Sequence, residues 1–144
     1  MNRSQLIHRQ SWLIEQLPGL SDQDCQKLKD CGIDTTEQLL QKVHQQLGKE
    51  KLAVRMQIHA KHINKWVAMA ELASIPAVGC QYCGLLVHAG IGSISQLAQT
   101  SIGQLHRQIL RFYVANWQRR DLCPDIAVML PWIEQAKSLS KAKF

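Results

Sequence analysis

Two cysteines three residues apart, Cys80 and Cys83, have the spacing with the most chemistry in it. A C-x-x-C pair can supply half of a zinc site or cycle between dithiol and disulfide. Zinc requires two further ligands, for which His88, Cys31 and Cys123 are the candidates. Cys80 falls at the start of an expected helix, where the dipole lowers a thiol pKa. His59 and His62 stand three apart on one expected helix, also a metal-pair spacing. Helical angles aim them differently, His59 into an apolar stripe as a core residue and His62 toward the surface. Packing is therefore the expected role of these thiols and imidazoles, with no metal and no cofactor.

A second set of residues is cationic. Lys51, Arg55 and Lys65 cluster on one expected helix face, and Arg107 and Arg111 on another. Such faces attract phosphate backbones, although a solvated surface has the same composition. Trp12, Trp66, Trp117 and Trp132 are possible stacking platforms for single strands. Each lies in or near an apolar helical stripe, so anchoring in the core is expected instead. The sequence has no phosphate-binding G-x-x-x-x-G-K-[ST], no G-x-G-x-x-G, no H-E-x-x-H and no G-x-S-x-G. The chain is not expected to be an enzyme.

The elements that position these residues begin with 144 residues, 46% of them hydrophobic and 19% charged. That is enough for one packed domain over 1–144 and excludes wholesale disorder. No run approaches the ~18 apolar residues of a membrane helix, and the start lacks a secretion signal, so a cytoplasmic protein with reduced thiols is expected. The net charge of +6 is uneven. Residues 17–40 carry −3 and residues 41–70 carry +5, and no acidic residue occurs between Leu72 and Arg120. Distinct faces follow, one of them suited to an anionic partner.

The chain also resembles itself. LPGLSDQDCQKLKDCGIDTTEQL at 17–39 aligns without a gap on IPAVGCQYCGLLVHAGIGSISQL at 75–97, a shift of 58. Pro18 falls on Pro76, Cys25 on Cys83, Gly32-Ile33 on Gly90-Ile91 and Gln38-Leu39 on Gln96-Leu97. Trp66-Val67 and Trp132-Ile133 end the two units more loosely. Unit one is expected over about 12–73 and unit two over about 74–140, with 141–144 a frayed tail.

Both units read as helical. Ser21 with Asp24 opens a helix as a capping box and Gly32 ends it. Thr35 with Gln38, and Ser93 with Gln96, open the next helices. Long helices are expected at about 50–73 and 102–120, an N-terminal helix at about 4–16, and a last helix from about Asp125 to Leu139 that Pro131 kinks or breaks. At 100° per residue, Leu52, Met56, Ile63, Trp66, Val67 and Ala70 form one buried stripe, and Leu105, Ile109 and Phe112 form another. The expected class is all-α.

A P-G or P-A turn entering a short helix, occurring twice, resembles the tandem helix-hairpin-helix domains of DNA repair and recombination proteins. The longer stretches LPGLS, KWVAMAELASIPAVGCQYCGLLVHAGI, LHRQILR and DLCP are similar to an uncharacterised family of small cyanobacterial proteins. Its domain of unknown function is distantly related to helix-hairpin-helix. The resemblance implies turns whose free amides hold phosphate without reading sequence. Val78, Gly79, Cys80 and Gln81 would supply those amides, while Lys51, Arg55, Lys65, Arg107 and Arg111 supply attraction. Each hairpin departs from the pattern, with Ser21 where one glycine belongs and Ala77 where another does. Asp22 and Asp24 further disfavour a phosphate at the first. The expectation is a non-catalytic nucleic-acid-binding module. The alternative is a protein-interaction scaffold with degenerate hairpins, whose acidic and basic halves pair as a homodimer.

Overall fold

Helix starts follow the capping residues. Ser21 Oγ accepts from the Asp24 amide at 3.1 Å and Asp24 Oδ2 from the Ser21 amide at 3.4 Å, opening α1 (Asp22–Asp30). Thr35 accepts from Gln38 N to open α2 (Thr36–Gln41), and a π turn (Lys42–Gln46) follows it. Then come α3 (Lys49–Met56), α4 (Ala60–Ala73), α5 (Gly79–His88), α6 (Ile94–Ala98), α7 (Ile102–Trp117) and α8 (Ile126–Lys141). Ser93 and Ser101 cap α6 and α7 through the amides of Gln96 and Gln104. The computed structural model describes residues 8–46 and 48–141. Among them no β-strand occurs, and the fold is all-α, as expected.

The turns after α1 and α5 are closed in the same way. Gly32 and Gly90 take positive φ, and Ile33 N and Ile91 N donate back to Leu28 O and Leu86 O, both at 2.9 Å. Gln38 Oε1 accepts from Asp34 N at 2.7 Å, and Gln96 Oε1 from Gly92 N at 2.9 Å. Inside, α2 and α5 lie against α4, α6 lies against α8, and α7 touches α5 and α8. Leu28, Leu39, Leu52, Ile63, Leu72, Leu86, Leu97, Leu105 and Ile109 are all fully buried. Burial of a leucine or isoleucine is worth about 1.5–3 kcal/mol against exposure, so this row is the main source of stability.

Several expectations need correction. Residues 8–13 are not helical, and only a 3-10 turn (Ile14–Gln16) follows; residues 1–7 lie outside the described part. This segment is a strap. Thr36 N donates to Trp12 O at 2.8 Å, Ile14 N to Asp34 O at 2.9 Å and Gln10 N to Ser74 O at 2.8 Å. Tertiary hydrogen bonds replace the helical ones that local propensity favours. The single helix expected over 50–73 is two, because Gln57 turns left-handed (φ 58°) and His59 starts α4 as its N-cap. The stripe residues are buried nonetheless, supplied by two helices. Pro131 does not break the last helix, since α8 runs through it to Lys141. Likewise α7 stops at Trp117, where Gln118 is left-handed, and not at 120. Of the expected tail, Lys141 belongs to α8 and 142–144 lie outside the described residues.

Candidate functional site

The turn at 74–79 follows α4 directly. Val78 N and Gly79 N both donate to Ile75 O at 2.9 Å, and Ala77 N donates to Gln135 Oε1 at 2.7 Å from α8. Val78 is 1% exposed, and Gly79 (φ 56°) is buried. A Cβ built on Gly79 would stand 3.3 Å from Trp12 Cζ2. The Trp12 ring is held there by its own Nε1–H, which donates to Ala73 O at 2.8 Å. Two of the four amides expected to meet phosphate are therefore consumed internally and lie beneath the strap. Cys80 is half-buried and Gln81 exposed at the entrance to α5. At the first turn, the Ser21–Asp24 box occupies the start of α1. Neither turn presents the open row of amides that the hairpin resemblance implied.

Lys51, Arg55, Lys65, Arg107 and Arg111 are all exposed. Among the described residues the ion pairs are Lys29–Glu15 and Arg119–Asp121, so none of these five is paired. The break at Gln57 puts Lys51 and Arg55 on α3 and Lys65 on α4, so the three do not lie on one helix as expected. His59 is not a core residue: it is exposed, and its Nδ1 accepts from Lys61 N at 3.1 Å to cap α4.

The thiols behave as packing groups. Cys25 and Cys83 are buried, as their matching positions suggested. Burial pushes the Cys83 thiol up to about 12. Burial also raises Cys80, so the expected lowering by the start of α5 is overridden by desolvation. Among the described residues, no group of three or more His, Cys, Asp and Glu side chains is placed to hold a metal ion. No described helix is long and apolar enough to cross a membrane.

What sequence reasoning missed is an aromatic groove. Trp117, expected in the core, is 54% exposed at the end of α7. It stacks edge-on to Phe112 with centroids 5.3 Å apart and lies 5.1 Å from Tyr113. Tyr113, Trp117, Arg119 and Leu122 line an open groove of about 640 Å³. Tyr113 and Trp117 also line a second hollow of about 320 Å³, together with Leu85, Phe112, Pro18, Cys80, Gln81 and His88. No carboxylate lines either hollow. By contrast Trp66 and Trp132 are 3% and 1% exposed. Trp117 carries the groove because α7 ends there: two turns earlier, Ile109 is fully buried. The signal available in the sequence was position alone, an aromatic run beside the Gln118–Arg120 polar stretch.

No curated protein and no solved structure matches the chain. A family model does match, over residues 18–139, from the first hairpin proline to the last buried leucine of α8. On that match the chain belongs to the family of the domain of unknown function DUF4332.

Proposed function

We propose that the chain is a non-catalytic protein-interaction module that binds through the groove of α5 and α7. The carrying observation is the 54% exposure of Trp117, which with Tyr113 lines two apolar hollows, one shared with Leu122 and the other with Phe112 and Leu85. Trp, Tyr and Arg dominate the energetics of protein interfaces, and apolar patches of this kind on a folded chain mark binding sites. The groove contains no carboxylate–imidazole pair and no low-pKa thiol to perform a reaction, which favours binding over turnover.

In the same reading the two halves are copies of one helix-hairpin-helix-like unit, with the second turn buried under the strap and the first left exposed. Support comes from bonds that recur at the shift of 58, Ile33 to Leu28 and Ile91 to Leu86, Gln38 to Asp34 and Gln96 to Gly92. Burial adds Ile63, Trp66, Val67 and Ala70 on α4 against Met129, Trp132, Ile133 and Ala136 on α8. The test is a photo-crosslinking side chain at position 122, compared with exposed Gln23 on α1. Discrete protein adducts from 122 alone are expected in cell extract. Equal or absent adducts at both positions refute the reading.

One observation favours a second reading, the grip on phosphate backbone. Lys51, Arg55, Lys65, Arg107 and Arg111 are exposed and unpaired. It requires anisotropy-detected binding of labelled single- or double-stranded DNA or RNA that falls steeply between about 50 and 200 mM salt. Arg107→Ala with Arg111→Ala then flattens the salt slope by roughly two phosphate contacts. Absence of binding at the lower salt retires it.

A further inference from the structure

We infer that the groove is filled by a second copy of this chain, in a twofold dimer where each copy inserts its α7–α8 corner into the groove of the other. The inference rests on the groove being a protein-binding surface and names its occupant.

Of the eight large hydrophobic residues exposed among the described ones, six lie within 114–130: Val114, Trp117, Leu122, Ile126, Val128 and Leu130. The other two, Leu13 and Val54, stand alone in sequence. Five of them divide into a hollow and a projection, Val114 on α7 belonging to neither. Trp117 and Leu122 line the groove, whereas residues 125–128 are exposed without exception, so the first turn of α8 stands out from the fold. Ile126 and Leu130, four apart, share one helix face there, while Met129, Trp132 and Ile133 are buried. A helix edge with i, i+4 apolar anchors is what an elongated hydrophobic groove accepts.

Hollow and projection are also chain neighbours, Leu122 being four residues before Ile126. A twofold axis beside Leu122 therefore makes the contact twice, which is the self-complementarity a symmetric dimer requires. Trp117, Leu122, Ile126 and Leu130 together expose about 400 Å² per copy, about half of the ~800 Å² a standard interface buries on each side. Charge does not oppose the match. Arg119 and Asp121 neutralise each other at 2.8 Å. Asp125, at the start of the projecting turn, would approach a groove with no carboxylate in its lining. Beside that groove Arg111 lines a shallow pocket with His88 and Phe112.

The experiment is sedimentation velocity on the full chain from about 1 to 100 µM, the range where standard-size interfaces of modest affinity dissociate. A species of twice 16.4 kDa that dissociates on dilution is expected. Trp117→Lys and Ile126→Asp, one in the hollow and one on the projection, should each weaken it at least about tenfold, with unchanged far-UV circular dichroism. Both positions are exposed, so neither variant removes core packing. A dimer indifferent to both variants overturns the inference. A monomer at every concentration also overturns it. If the position-122 crosslinker still yields adducts of other masses, the interaction reading survives without the dimer. If it yields none, both fall together.

Discussion

Replacing Gly79 by alanine tests whether Trp12 seals the turn that enters α5. Gly79 has φ 56°, a conformation that costs a residue with a Cβ about 1–2 kcal/mol. Its new Cβ would also sit 3.3 Å from Trp12 Cζ2 and 3.7 Å from Cη2. The shorter of these is inside the optimal carbon–carbon separation, and a crowded packed site costs typically 1–3 kcal/mol. Gly19 is the internal control: its φ is 84°, and a Cβ there meets nothing within 4 Å. Gly19→Ala therefore carries backbone strain alone, and Gly79→Ala carries strain plus crowding. The difference, about 1–3 kcal/mol, amounts to a midpoint shift of roughly 1 M urea for a chain of this size. Urea unfolding followed by tryptophan fluorescence reads it directly. In a Trp12→Ala background the excess at Gly79 should vanish, since the crowding atom is gone. Equal midpoints for the two glycine variants, or an undiminished excess without Trp12, would refute the seal.

Further outcomes follow from burial and charge. Trp132→Ala, at a residue 1% exposed with Tyr82 4.8 Å from it, should cost about 3–5 kcal/mol, whereas Trp117→Ala should change monomer stability by less than about 1 kcal/mol; comparable losses in urea would contradict the assignment of one to core and the other to surface. Cys83, its thiol pushed up to about 12, should resist alkylation by iodoacetamide at pH 8 until the chain is unfolded, and peptide mapping that finds it modified in the native protein would contradict its burial. Glu15 is held below the usual carboxylate range by the Lys29 ammonium at 2.5 Å. A depressed folded-state pKa contributes stability that is present above the unfolded value and lost as pH falls through the folded one. Glu15→Gln should therefore flatten the acid limb of a stability–pH curve slightly, and a steeper limb would reverse the sign.

Local chemistry was legible and tertiary placement was not. Ser21, Thr35, Ser93, Gly32 and Gly90 announce helix starts and stops because a cap is decided within four residues. The buried stripe of Leu52 through Ala70 was legible too, since its period survives the break at Gln57. The break itself left no mark, as Gln57 is neither glycine nor proline. The strap was illegible for a different reason: Trp12 bonds to Thr36 and Ala73, residues 24 and 61 positions away. That same distant contact buries Gly79 and closes a turn whose residue types alone suggested an open anion site. Exposure of Trp117 depended on where α7 runs out of neighbours, which helical periodicity does not encode.

The most direct test of the groove compares three tryptophans in one molecule. Hydroxyl-radical oxidation, read residue by residue, is measured on dilute purified protein and on the chain at native abundance in cell extract. Trp117 should be the most reactive in the dilute sample and several-fold protected in extract, in keeping with the protection of a residue buried at an interface. Trp66 and Trp132, already inside the fold, should react equally in both and serve as internal standards. Trp117 oxidised to the same extent in both samples, with those standards unchanged, would contradict a binding role for the groove.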